Sequence, residues 1–201
     1  MIDERFVFLG IAIGFTGSLF YIISTLKGET QPNRVSWFVW ALAPLIAFFA
    51  EMSKGVGVQA WMTFAVGFSP LLVFIASFIN KKAYWRLTRF DLICGAFALV
   101  GLALWGITRE GNIAIAFSIL ADGLAAAPTL IKSWKFPETE NHWVFTLSII
   151  NAGITMLTIK IWDFQHYGFP IYIFLVCSVL SLLIWRKIGK RVSAYFAKQS
   201  S

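Results

Sequence analysis

Long apolar runs separated by short polar stretches dominate the chain. They lie at roughly 6 to 26, 35 to 51, 58 to 80, 91 to 108, 112 to 131, 142 to 160 and 168 to 186. Within them apolar residues are unbroken rather than alternating. Each is therefore read as a helix of the length needed to cross hydrocarbon, about 20 residues. Lipid offers backbone groups no hydrogen-bond partner, so a helix is the form that satisfies them. Seven spans are predicted, the second being the shortest.

The polar stretches carry an internal repeat. Lys27, Pro32 and Trp37 after the first span return as Lys132, Pro137 and Trp143 after the fifth. An offset of 105 pairs Leu19 with Leu124 and Lys27 with Lys132, and an offset of 106 pairs Lys54 with Lys160 and Gln59 with Gln165. Spans one to three thus match spans five to seven. Three spans would turn the second copy over, and the unmatched fourth span restores its orientation. The expected fold is an all-α membrane protein whose seven transmembrane helices form two parallel three-helix bundles joined by an inversion linker helix. The units are 1–80, the linker with the fourth span at 81–110, 111–190, and a basic tail at 191–201.

Composition agrees with lipid as the solvent: 58% of residues are hydrophobic, 13% are charged, and Phe and Trp number 20 and 9. Assigning the polar stretches to alternate sides puts Arg5, Lys54, Arg109 and Lys160 on one side and the remaining 13 of 17 lysines and arginines on the other. By the positive-inside rule the amino terminus is outside and the carboxyl terminus cytoplasmic, in a plasma (inner) membrane. The net charge of +7 is explained by this bias, so no nucleic-acid partner is inferred. Asp3 and Glu4 precede the first segment, which is kept as a span rather than a signal peptide. Cys94 and Cys177 fall inside spans, and His142 and His166 lie at opposite sides, so neither a metal nor a cofactor is expected. The tail after Trp185 is basic and mildly amphipathic, suited to the inner leaflet.

Asp122 is acidic in the middle of the fifth span, where a charge costs about 2.5–3.5 kcal/mol. Ser118, Asp122, Ala125 and Thr129 share one helix face, and Ser148, Asn151, Thr155 and Thr158 share a face of the sixth span. Two such stripes predict a midplane solute site between repeats, although Asp122 and Asn151 clamping two helices fits the pattern equally. Thr16 and Trp40 are added as first-bundle candidates, Trp40 with simple packing as its alternative. Pro44, Pro70 and Pro128 interrupt spans and are candidate hinges. Gly10, Gly14 and Gly17 share a face with Tyr21 and read as a helix-packing surface, Trp105 and six other tryptophans as interfacial anchors, and Glu138 and Glu140 as a solvated cluster offsetting Lys132 and Lys135.

The three-plus-one-plus-three order, with the first helix of the second copy broken at Pro128-Thr129, resembles the SWEET and PQ-loop family of small membrane transporters. The corresponding place in the first copy is Ile23-Ser24. Lys132, Pro137, Glu140, Trp143 and Asn151 are spaced as in the amino-acid-exporting branch of that family, with Asn151 where that branch has an acid. The asparagine pair of sugar carriers is replaced by Ser69-Pro70 and Cys177-Ser178. The resemblance implies alternating access for a small polar solute, sugar or amino-acid-like, with a hinge at Pro128. A proton on Asp122 is the candidate co-substrate. The alternative is a receptor or binding protein on the same scaffold, for which no Lys or Arg lies at mid-depth. No zinc-binding, nucleophile-elbow or acid-cluster pattern occurs, so no enzyme is expected. The partners are the solute and the bilayer, with a homo-oligomer left open.

Overall fold

The computed structural model describes residues 2–108 and 111–199. Eight α-helices are described: α1 Phe6–Lys27, α2 Arg34–Ser53, α3 Ala60–Ala76, α4 Arg89–Thr108, α5 Gly111–Lys135, α6 Trp143–Thr158, α7 Phe164–Arg186 and α8 Ile188–Gln199. Five are long and apolar enough to cross a membrane: α1, α2, α3 with the turn before it, α5 from Ile115, and α7. The fold is that of an all-helical membrane protein. Arg109 and the side chain of Trp105 lie outside the described residues.

Local chemistry sets the helix ends. Asn33 Oδ1 accepts from the amides of Val35 and Ser36, which starts α2 one residue before its apolar run. Gly28, at φ 78°, closes α1 with its amide on the Thr25 carbonyl. The second segment, expected to be the shortest, is consequently a full 20-residue helix. The short one is α6, 16 residues, because the chain leaves helical geometry at Ile159. Asp163 caps α7 four residues earlier than the apolar pattern suggests, and Pro170 falls inside that helix alongside the three predicted interior prolines.

Side chains are distributed inside out. Large apolar groups such as Phe49, Ile79, Phe97 and Leu175 cover the exterior, whereas Ser18, Thr25, Glu51, Asp122, Asn151 and Thr155 are buried. In water such a surface would aggregate, and in lipid it costs nothing.

The packing order is regular. α3 lies between α1 and α2, α7 lies between α5 and α6, and the two sets meet where α1 packs on α6 and α2 packs on α5. These six helices close a ring. α4 packs outside it against α5 and α2, and α8 crosses the end of α5. The α1–α6 seam is very close: a Cβ on Gly17 would sit 2.8 Å from the Trp143 carbonyl oxygen, and one on Gly10 would sit 2.7 Å from Asn151 Oδ1. The glycine face of α1 is thus a packing surface, as its spacing predicts.

Candidate functional site

A cavity of about 70 Å³ lies inside the ring, lined by residues of α1, α2, α3, α5, α6 and α7. That is room for several waters. α5 contributes Asp122, α6 contributes Ser148 and Asn151, α2 contributes Trp37 and Trp40, and α3 contributes Ser69 and Pro70.

Asp122 is 2% exposed. The Tyr172 hydroxyl of α7 donates to its Oδ2 at 2.6 Å, and the Trp40 indole N–H donates to its backbone oxygen at 3.2 Å. Its other oxygen, Oδ1, has no hydrogen-bond partner. Asn151 is 3% exposed, packs against Gly10 and Gly14, and also leaves Oδ1 without a partner. A buried acceptor in this condition carries a desolvation cost of about 1–3 kcal/mol; the Asn151 oxygen lies against Gly10 in the α1–α6 seam, which leaves Asp122 Oδ1 as the acceptor for a donor in the cavity.

The remaining predicted residues divide clearly. Ser148 lines the cavity and donates to the Val144 carbonyl at 2.8 Å. Ser118 is buried with no partner for Oγ. Thr129 donates to Ser36 Oγ at 3.0 Å in the α5–α2 interface, and Thr155 donates to the Asn151 carbonyl at 3.0 Å within α6. Thr16 is exposed and bonds back to Ala12, away from the cavity. Pro70 lines the cavity, while Pro44 and Pro128 are buried in the bodies of α2 and α5.

Aromatic rings wall one side. Trp37 and Trp40 meet edge to face at 5.3 Å, and Trp40 meets Phe145 at 6.2 Å. Trp37 also packs on Tyr21 at 4.6 Å. Tyr21 leads out of the cavity to the basic end of the molecule, where its hydroxyl donates to Glu140 Oε2 at 2.6 Å. Lys132 Nζ donates to Glu140 Oε1 at 2.7 Å and to the Gln31 carbonyl, with the Trp85 ring 4.6 Å away. The loops before α2 and α6 are tied together by the Gln31 amide on the Thr139 carbonyl at 3.0 Å, and Asn141 Nδ2 donates to Ser24 Oγ at 2.8 Å.

This end corrects the reading of Glu140 as solvated: the Lys132 and Glu140 side chains are 1% and 0% exposed. The loops fold inward over the helix ends, and the pair is dry because Tyr21 and Gln31 satisfy its remaining bonds. Glu138 and Lys135 fit the expectation, both exposed, with Glu138 paired with Lys190 of α8 at 2.7 Å. The sequence pattern gave no sign of Tyr21 or Tyr172 as polar partners, since a tyrosine in an apolar run counts toward the run. Glu51, at the end of α2, is also buried, with Oε2 unpartnered.

Comparison with protein-family models, curated proteins and solved structures gives no match.

Proposed function

We propose that the protein is a membrane carrier that moves a small polar solute through the ring cavity by alternating access. The observation that carries this reading is Asp122: a carboxyl in the membrane-spanning core, at a cavity to which all six ring helices contribute, with one oxygen lacking a hydrogen-bond partner.

The packing order supports two three-helix bundles related by a twofold axis along the membrane normal. Exchanging α1 with α5, α2 with α6 and α3 with α7 turns every ring contact into another ring contact. α4 then serves as the inversion linker, with α4 and α6 as the sixth and seventh spans. The likeness to SWEET and PQ-loop carriers belongs to the same proposal. So do the outside amino terminus and cytoplasmic carboxyl terminus in a plasma (inner) membrane, which place Lys132, Glu140 and α8 on the cytoplasmic side.

On this reading the structure is closed toward the cytoplasm. The path from the cavity to that side runs through Trp37, Tyr21 and the Lys132–Glu140 pair, all buried. Transport requires these contacts to part while the opposite end closes. There Gln59 already reaches Thr158 across the ring at 3.4 Å. Pro44, Pro70, Pro128 and Pro170 are the points where helices can bend.

The test is uptake or exchange in proteoliposomes at several pH values, with Asp122→Asn as the variant. The carrier reading expects a saturable flux lost in Asp122→Asn. Binding of a solute without any flux would instead favour a receptor on this scaffold.

A further inference from the structure

We infer that the cavity selects a small organic cation, a primary or methylated ammonium ion, with Asp122 as its counter-ion and Trp37, Trp40 and Phe145 as its wall. This names the solute class of the proposed carrier and rests on that reading for transport, though not for binding.

The first ground is charge. Among the described residues Asp122 is the only acidic side chain lining the cavity, and no lysine, arginine or histidine lines it. The faces packed around Asp122 bring no cation either. α7 offers Tyr172 and Cys177, α2 offers Trp40, and α4 carries its described charges, Arg89 and Asp91, in its first turn. A zwitterion would place its own carboxylate in this space with nothing basic to meet it, and an unpaired buried charge is strongly unfavourable. A cation meets the reverse situation.

The second ground is the balance of donors and acceptors. The Trp40 N–H is engaged by the Asp122 carbonyl, and the Ser148 and Ser18 hydroxyls donate to the carbonyls of Val144 and Gly14. Apart from Asn151 Oδ1 in the α1–α6 seam, two polar groups from residues of the cavity wall have no hydrogen-bond partner, the Asp122 Oδ1 acceptor and the Trp37 indole N–H. At Asp122 a ligand must therefore bring a donor, which an ammonium group supplies together with the opposite charge.

The third ground is the wall. The Trp37–Trp40–Phe145 cluster borders the same space as the carboxylate, and the Trp40 hydrogen bond holds that ring beside Asp122. Aromatic faces attract cations, most strongly when both are desolvated. Together with about 70 Å³ of room, they favour a compact alkylammonium over a hexose.

The experiment is ligand binding to the purified full-length protein in detergent, read by thermal shift and calorimetry, with methylammonium, tetramethylammonium, glycine and glucose as probes. Saturable stabilisation by one or both ammonium ions, and none by glycine or glucose, is expected. Asp122→Asn should weaken ammonium binding about a hundredfold or more. If that variant does not fold, Trp40→Leu serves instead, with roughly tenfold weaker binding expected and most of the affinity kept in Trp40→Phe. Stabilisation by glycine or glucose equal to that by methylammonium would overturn the inference. So would ammonium binding unchanged in Asp122→Asn or Trp40→Leu, or a response to protons alone. Ammonium binding without flux in proteoliposomes would keep the site and remove the carrier. Flux of an uncharged solute without ammonium binding would do the opposite.

Discussion

The basic ends of the two repeats begin from similar sequences and finish in opposite environments. Lys27 and Pro32 in the first copy correspond to Lys132 and Pro137 in the second, yet Lys27 is exposed while Lys132 is 2% exposed. The difference lies in what each loop supplies. The second loop brings Glu140, to which Tyr21 and Lys132 both bond. The matching place in the first loop is Arg34 or Val35, and Arg34 turns away to the Ser77 carbonyl at 2.7 Å and the rings of Phe78 and Tyr84. A lysine enters a dry interior only with a carboxylate and further acceptors waiting for it. The first loop's own carboxylate, Glu29, is exposed, so its lysine stays in solvent.

The same lesson applies at mid-depth. Gly17 and Asp122 occupy equivalent positions in the two repeats. Gly17 lets α1 sit against the α6 backbone, and Asp122 faces the cavity. At this pair of matching sequence positions, a glycine gives close packing and an aspartate gives a buried polar group at the cavity.

Removing the carboxylate tests this contrast most severely. Glu140→Ala leaves Lys132 buried and unpaired and is expected to cost about 3–5 kcal/mol in unfolding measured in detergent, whereas Lys27→Ala should stay within about 0.5 kcal/mol. Equal effects would erase the distinction between the two ends. Tyr21→Phe removes one charge-assisted hydrogen bond, about 1.5–3 kcal/mol. It should also loosen the route to the cavity, so Cys177 in a Cys94→Ser background should react faster with a thiol reagent added from the Lys132 side.

Gly17→Ala should cost about 1–3 kcal/mol, because its new methyl would meet backbone that cannot move aside cheaply. Gly153→Ala, whose added Cβ would meet only Phe174 at 4.0 Å, should be neutral or stabilising by thermal unfolding.

The exposed pair between Glu138 and Lys190 should give the smallest effect. Lys190→Ala is expected to cost no more than about 1 kcal/mol, less at high salt. The Lys190 hydrogen bond holds the Glu138 carboxyl below its usual range. That small contribution is therefore complete above the ordinary carboxylate value of 4.5 and lost as pH falls through the lowered one. A difference between wild type and Lys190→Ala that persists in acid would show another role for Lys190.

Much of the fold was legible because lipid and the backbone leave few choices. Every apolar segment is a helix, and the polar stripe on α5 is buried, with Ser118, Ala125 and Thr129 at 0% exposure. Helix ends were less legible, since caps such as Asn33 and Asp163 act outside the apolar pattern. In the site, Asp122, Asn151, Ser148 and Trp40 were readable because a polar or indole group at mid-depth needs a reason. Thr129 and Thr155 share their helix faces and yet serve packing, because a threonine can satisfy its hydroxyl on a neighbouring hydroxyl or its own helix. The alternative of a clamp between Asp122 and Asn151 needs α5 beside α6, and in the packing order α7 lies between them.

From its sequence alone this protein is an all-helical chain solvated by lipid, with a duplicated pattern and one acid in a span, because hydrophobicity and period are local quantities. Only the tertiary structure decided that Asp122 would keep one oxygen without a hydrogen-bond partner beside tryptophan and that Lys132 would be dry. Both depend on groups from distant segments arriving within hydrogen-bond reach, and no spacing along the chain encodes which side chains converge.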